Sequence, residues 1–140
     1  MYYPNDVVSR ELAKELKSIG FKDTVRFIYD DDIVDPDEAI VSSKTFGDDY
    51  NSKSDALTSA PTLYEAQMWF IREHGISPEV FYAFDKWQGD AISMSTCDSY
   101  TNESGIFPTY QEAMSYALTV AADTVKNRNK NFEKCYEAQP

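Results

Sequence analysis

The chain has 140 residues, 42% of them hydrophobic, with ten tyrosines and eight phenylalanines. That is enough apolar material for one packed domain, and it excludes global disorder. The formal net charge of −11 disfavours direct binding to nucleic-acid phosphates or anionic lipid, and no apolar run reaches the ~20 residues that a bilayer crossing needs.

The N-terminus, MYYPNDVVSR, lacks the basic and apolar regions of a signal peptide, which points to a soluble, cytoplasmic protein. Cys97 and Cys135 form no spaced framework and read as reduced thiols. Together with the one histidine, His74, they are too few for a zinc site.

Met1 to Val8 is a short lead-in whose Tyr2 and Tyr3 are expected to pin to the core. Ser9 is a candidate N-cap, with Glu11 in the first turn where the helix dipole favours a carboxylate. Leu12, Leu16 and Ile19 then recur at helical spacing, Gly20 stops the helix, and Phe21 can fold back on Leu16. Thr24 to Tyr29, TVRFIY, is β-branched and aromatic and predicts a strand.

Next comes DDDIVDPDE, with six carboxylates in nine positions. A calcium loop of the EF-hand kind needs Gly at its sixth place and Glu at its twelfth, and Asp35 and Val41 stand there instead. A hydrated acidic turn is the expectation, with Asp30, Asp31, Asp32 and Asp35 as candidate partner-binding residues. From Glu38 to Ser59 no period is sustained beyond a possible short strand at AIVSS, so about 30–59 reads as a mobile acidic loop.

The stretch APTLYEAQMWFIREHG predicts the central helix. Thr62 and Glu65 have the spacing of a capping box, Leu63, Ala66 and Phe70 line an apolar face, and Gly75 supplies the stop. His74, in its last turn, would act as a cationic cap at the helix C-terminus. Glu79–Phe84 and Ala91–Thr96 then read as paired strands, with Gly89-Asp90 as the turn signal between them. Tyr82 and Trp87 are candidate partner-binding aromatics there. With Phe84 and Tyr100 they could form a stacking platform, but such platforms come with a basic groove and only Lys86 is basic nearby.

Asn102-Glu103-Ser104 matches a glycosylation acceptor in form only. Thr109 and Glu112 repeat the capping box, and Tyr110, Met114, Ala117, Leu118, Ala121 and Val125 line one side of a last helix. Residues 126–140 turn polar and read as a fraying tail. The pattern P-T-x-x-E-A occurs at both Pro61 and Pro108, a similarity that the capping requirement alone can generate.

The pieces SRELAKELKSIGF, APTLYEAQMWFIREHGI and TYQEAM, in this order, make the chain resemble small uncharacterised α+β proteins of gut-bacterial mobile elements and the phages of those hosts. The resemblance implies a bacterial host cell as the setting, and no activity, cofactor or catalytic residue. The T-x-x-E-A start of the last helix is also similar to the helix of HicB-like antitoxins over a few residues.

Phosphate-cradling glycine motifs are absent, and one histidine leaves little for a triad or a proton shuttle. These readings combine into one α+β domain over 1–125, with three helices on a small, mainly antiparallel sheet in the order α-β-loop-α-β-β-α. The expected function is a non-enzymatic interaction protein of a phage or mobile element, with no cofactor or metal, binding another protein or a second copy of itself. One alternative is a counter-defence inhibitor that presents carboxylates where DNA presents phosphates. The other is a small hydrolase using two facing carboxylates.

Overall fold

The structure, a computed structural model, describes residues 6–33, 35–42, 44, 46–101 and 105–137, with side chains as far as residue 130. The expectations for Tyr2, Tyr3, Asn102-Glu103-Ser104 and the Cys135 thiol therefore lie outside the described residues. The described elements are, in chain order, α1 (Arg10–Ser18), β1 (Phe27–Asp30), β2 (Ile40–Val41), β3 (Leu57–Ser59), α2 (Leu63–His74), β4 (Ile76–Ala83), β5 (Lys86–Ser93), β6 (Gly105–Phe107) and α3 (Tyr110–Glu137). The fold is α+β. Its strands form two three-stranded antiparallel sheets, β2-β1-β3 and β4-β5-β6, where one sheet was expected.

The helix ends are local chemistry. Ser9 accepts the Leu12 N–H at the start of α1. At its end Gly20 takes φ +96°, its N–H donates to the Lys17 carbonyl, and the Phe21 N–H donates to Leu16. That pair of bonds is a Schellman motif. Thr62 and Glu65 form the complete capping box of α2, with bonds of 2.8 and 3.1 Å. At α3 only half of the box forms. Thr109 accepts the Glu112 N–H, but the Glu112 carboxylate takes the Thr109 hydroxyl.

The hairpin differs from its prediction. The β4–β5 register pairs Ala83 with Lys86, so the turn is Phe84-Asp85, and Gly89 and Asp90 sit inside β5. The glycine serves packing. Gly89 lies opposite Val80 and Gly105, and an added Cβ would stand 2.2 Å from the Ala113 carbonyl oxygen, so the backbone of α3 rests directly on β5. Asp90 is buried, where its carboxylate accepts the Ser99 hydroxyl at 2.7 and 2.8 Å and its own strand's Ala91 N–H at 2.8 Å. The side chains of Trp87 and Phe107 share the Gly89 face and meet α3 at Tyr110 and Tyr116.

The acidic segment carries more regular structure than its lack of periodicity suggests. It contains β2, a 3-10 turn at Tyr50–Ser52 and β3. Non-local polar bonds hold it. The Asn51 amide donates to Phe21 O at 2.9 Å and accepts the Ser59 N–H at 2.8 Å, while Ser59 Oγ accepts the N–H groups of Tyr50 and Asn51. Tyr50 is buried and shares a hydroxyl contact with Ser42.

The last helix also runs further than expected, to Glu137. Val125 is buried, Lys126 pairs with Glu15 of α1, and the Arg128 guanidinium donates to the His74 carbonyl at 3.1 Å and to the Tyr100 hydroxyl. These contacts anchor the helix just beyond residue 125, as far as Arg128.

Gly89→Ala forces a methyl group into the Ala113 backbone, and overpacking of this kind typically costs about 1–3 kcal/mol. Urea denaturation should show that loss with an unchanged m-value. Wild-type stability in Gly89→Ala would refute the close approach of helix and strand.

Candidate interaction surface

The two turn residues of the hairpin both have positive φ, 53° at Phe84 and 60° at Asp85. This matches a type I′ turn, whose usual occupants are Asn and Gly. Aspartate tolerates the left-handed region. A phenylalanine there meets its own Cβ against the following carbonyl, at a cost of roughly 1–2 kcal/mol. No packing offsets that strain, since Phe84 is 97% exposed.

Around the tip the aromatics are continuous. The Tyr82 ring meets Trp87 at 4.8 Å between centroids, and Trp87 meets Tyr110 edge-on at 5.7 Å. Tyr82 is 58% exposed. Of the expected platform, Tyr100 lies elsewhere. It sits on the connection after β5, where its N–H bonds Ala91 and its ring lies 5.4 Å below the Arg128 guanidinium. On the opposite face of the sheet Phe81, Gln88 and Ile106 stand in one row, with Phe81 and Ile106 exposed. The acidic segment leaves both uncovered.

The acidic residues form a different kind of feature. Asp31 receives Arg10 at 2.7 Å and Lys14 at 3.3 Å, and those hydrogen bonds hold its carboxyl below the usual carboxylate range. Asp37 also faces Arg10, at 3.6 Å. Asp30 accepts the Asp32 N–H at 2.9 Å in an Asx turn. The run is thus partly a strap between β1 and α1, and Asp32 and Asp35 are exposed alongside the paired Asp31 and Asp37. Asp48, lower in pKa chiefly through Lys44 at 2.5 Å, is likewise paired within the chain. Among the described residues no group of three or more His, Cys, Asp or Glu is placed to hold a metal ion.

The surroundings of His74 work against the cationic cap that its position suggested. Burial, followed by the charge of Arg128, lowers its pKa, and Glu73 opposes them only in part. Its ring packs on Trp69 at 4.8 Å, and Arg128 supplies the positive charge at the end of α2 instead. A neutral imidazole is therefore favoured in the folded state.

Among the described residues, two clefts bear on the hydrolase alternative. The larger, about 530 Å³, lies between the start of α3 and Val7, Ser9 and Tyr29, and Glu112 is its carboxylate. The smaller, about 270 Å³, includes Asp23, Glu73 and His74. Both of its acids bind Arg72, at 2.5 and 3.0 Å. Neither cleft places two unpaired carboxylates across from one another.

Two measurements test these assignments. Phe84→Asn relieves the left-handed strain without losing packing, so thermal unfolding should show a gain of about 1 kcal/mol; an unchanged or lower midpoint would contradict the strained turn. For His74 the unfolded chain binds its proton at higher pH than the folded one, so stability is complete above about pH 6.5 and falls as pH drops below it. His74→Gln should flatten the stability profile in that window, and an unaltered slope would assign the effect elsewhere.

Comparison with known proteins identifies no relative: no protein-family model, characterised protein or solved structure matches this chain.

Proposed function

We propose that the protein is a non-enzymatic interaction protein that grips another protein with the aromatic tip of its β4–β5 hairpin. The observation that carries this reading is Phe84, a large apolar side chain fully displayed on a backbone conformation that disfavours it. Strain retained without a packing return is characteristic of sites used for recognition. Burying one such ring against a partner stabilises a complex by about 1.5–3 kcal/mol, and the hairpin behind the turn carries the Tyr82–Trp87 ring pair backed by Tyr110, residue types enriched in binding hot spots.

The resemblance to small proteins of gut-bacterial mobile elements and their phages supports an accessory role in that setting. Imitation of nucleic acid is less favoured, because Asp23, Asp31, Asp37, Asp48 and Glu73 face cations of the same chain. A carboxylate-dependent hydrolase lacks support from either cleft. Among the described residues no helix is long and apolar enough to cross a membrane.

The test is quantitative affinity capture from bacterial host lysate with three baits. Wild type and the Asp32→Asn/Asp35→Asn double variant should enrich the same proteins. Phe84→Ala should lose the principal one by at least roughly tenfold, as expected for a hot-spot loss above 1.4 kcal/mol. Equal recovery by Phe84→Ala would rule out the tip, and selective loss with the acidic double variant would move the contact to the β1–β2 segment.

A further inference from the structure

We infer that the outer edge of β4 is a docking strand for a second copy of this chain, joining two β4-β5-β6 sheets into one six-stranded sheet.

The ladder defines which backbone groups are free. Tyr100 N–H bonds the Ala91 carbonyl and Met94 N–H bonds Gly75. The even-numbered residues of β4 therefore occupy non-hydrogen-bonded positions towards β5, and their N–H and C=O groups point to the outer edge. Pro78 has no N–H, and its carbonyl is taken by Gln67 of α2 at 2.8 Å. Val80 and Tyr82 remain, and no backbone bond to either is made on that side among the described residues. Natural edges are blunted by proline, charge, bulges or a covering element. Pro78 protects the first half of β4, and the half towards the tip carries Val80, Phe81 and Tyr82.

This restriction selects one register. An antiparallel pairing that uses both free residues sets Val80 opposite the partner's Tyr82, and the converse, with the two-fold axis at Phe81. Shifting by one pair in one direction brings Tyr82 against the capped Pro78, and in the other it leaves Val80 opposite the turn.

The side chains complement themselves in the chosen register. Phe81, 49% exposed, meets its own copy across the axis. Glu79 falls opposite the partner's Ala83, and Ala83 pairs with Lys86 in its own hairpin. The small alanine lets the Glu79 carboxylate and the partner's Lys86 ammonium meet over it, twice by symmetry. Exposed Tyr64, three residues before Gln67 on α2, adds apolar surface beside the same edge. Phe84 lies outside the pairing, so the pair would display two hairpin tips and could bind a bivalent target with avidity.

Sedimentation equilibrium should give twice the 16.0 kDa chain mass for the wild-type protein, and Phe81→Lys, which sets like charges face to face on the axis, should be monomeric with an unchanged circular dichroism spectrum. A directly opposed non-hydrogen-bonded pair has Cβ atoms about 4.5–5.5 Å apart, close enough for a disulfide after a small adjustment. In a Cys97→Ser/Cys135→Ser background, Phe81→Cys should therefore cross-link under mild oxidation far faster than the more exposed Phe84→Cys, and this holds the inference to account even if Phe81→Lys misfolds. A monomeric wild type, or equal cross-linking at both positions, overturns it. If monomeric Phe81→Lys still captures the wild-type partner, the hairpin-tip reading stands whatever the outcome here.

Discussion

The backbone of α3 lies on β5 with nothing between them at Gly89. Because that residue has no side chain, the Ala113 carbonyl occupies the space a Cβ would fill, and the helix is brought within reach of β4, β5 and β6 together. Ala113, Met114, Ala117, Leu118 and Ala121 are then buried in succession along one side. Small residues alternate with larger ones there, as close helix–sheet packing requires. The position of Trp87 against Tyr110, and so the footing of the hairpin tip, follows from this contact. The tip is exposed, but its base is packed against α3.

Charge is distributed with a similar economy. A net charge of −11 suggests a continuous anionic surface, yet several basic side chains sit where acids would otherwise repel each other. Arg10 stands between Asp31 and Asp37, Arg72 between Asp23 and Glu73, and Asp48 receives both Lys44 and Lys53. Such exposed pairs contribute little each to stability. Their greater effect is geometric, because they orient the β1–β2 segment against α1 and reduce the charge available to an outside partner.

What could be read from the chain was what a few adjacent residues decide. Ser9, Thr62 with Glu65, and Gly20 each act within one helical turn, and each stands where its chemistry predicts. The hairpin turn was missed because Gly89-Asp90 carries a strong turn signature while Phe84-Asp85 carries almost none. The glycine was present for packing against a helix that begins over twenty residues later. The strands within 30–59 were obscured for a related reason, since Asn51 and Ser59 replace periodicity with bonds to Phe21 and to each other. Of the candidate surface, Tyr82 and Trp87 were legible as surplus aromatics near a turn. Phe84 as the outermost residue was not, because its display depends on the register of the hairpin.

The Arg128 junction has a consequence for how the molecule assembles. One guanidinium joins α3 to the end of α2, 54 residues away, and to the β5–β6 connection, 28 residues away. Contacts spanning that much chain form only after the intervening loops have closed. The distal half of α3 therefore serves as a clasp, one side chain giving the final turn of α2 and the Tyr100 connection a shared support that both lose if it opens.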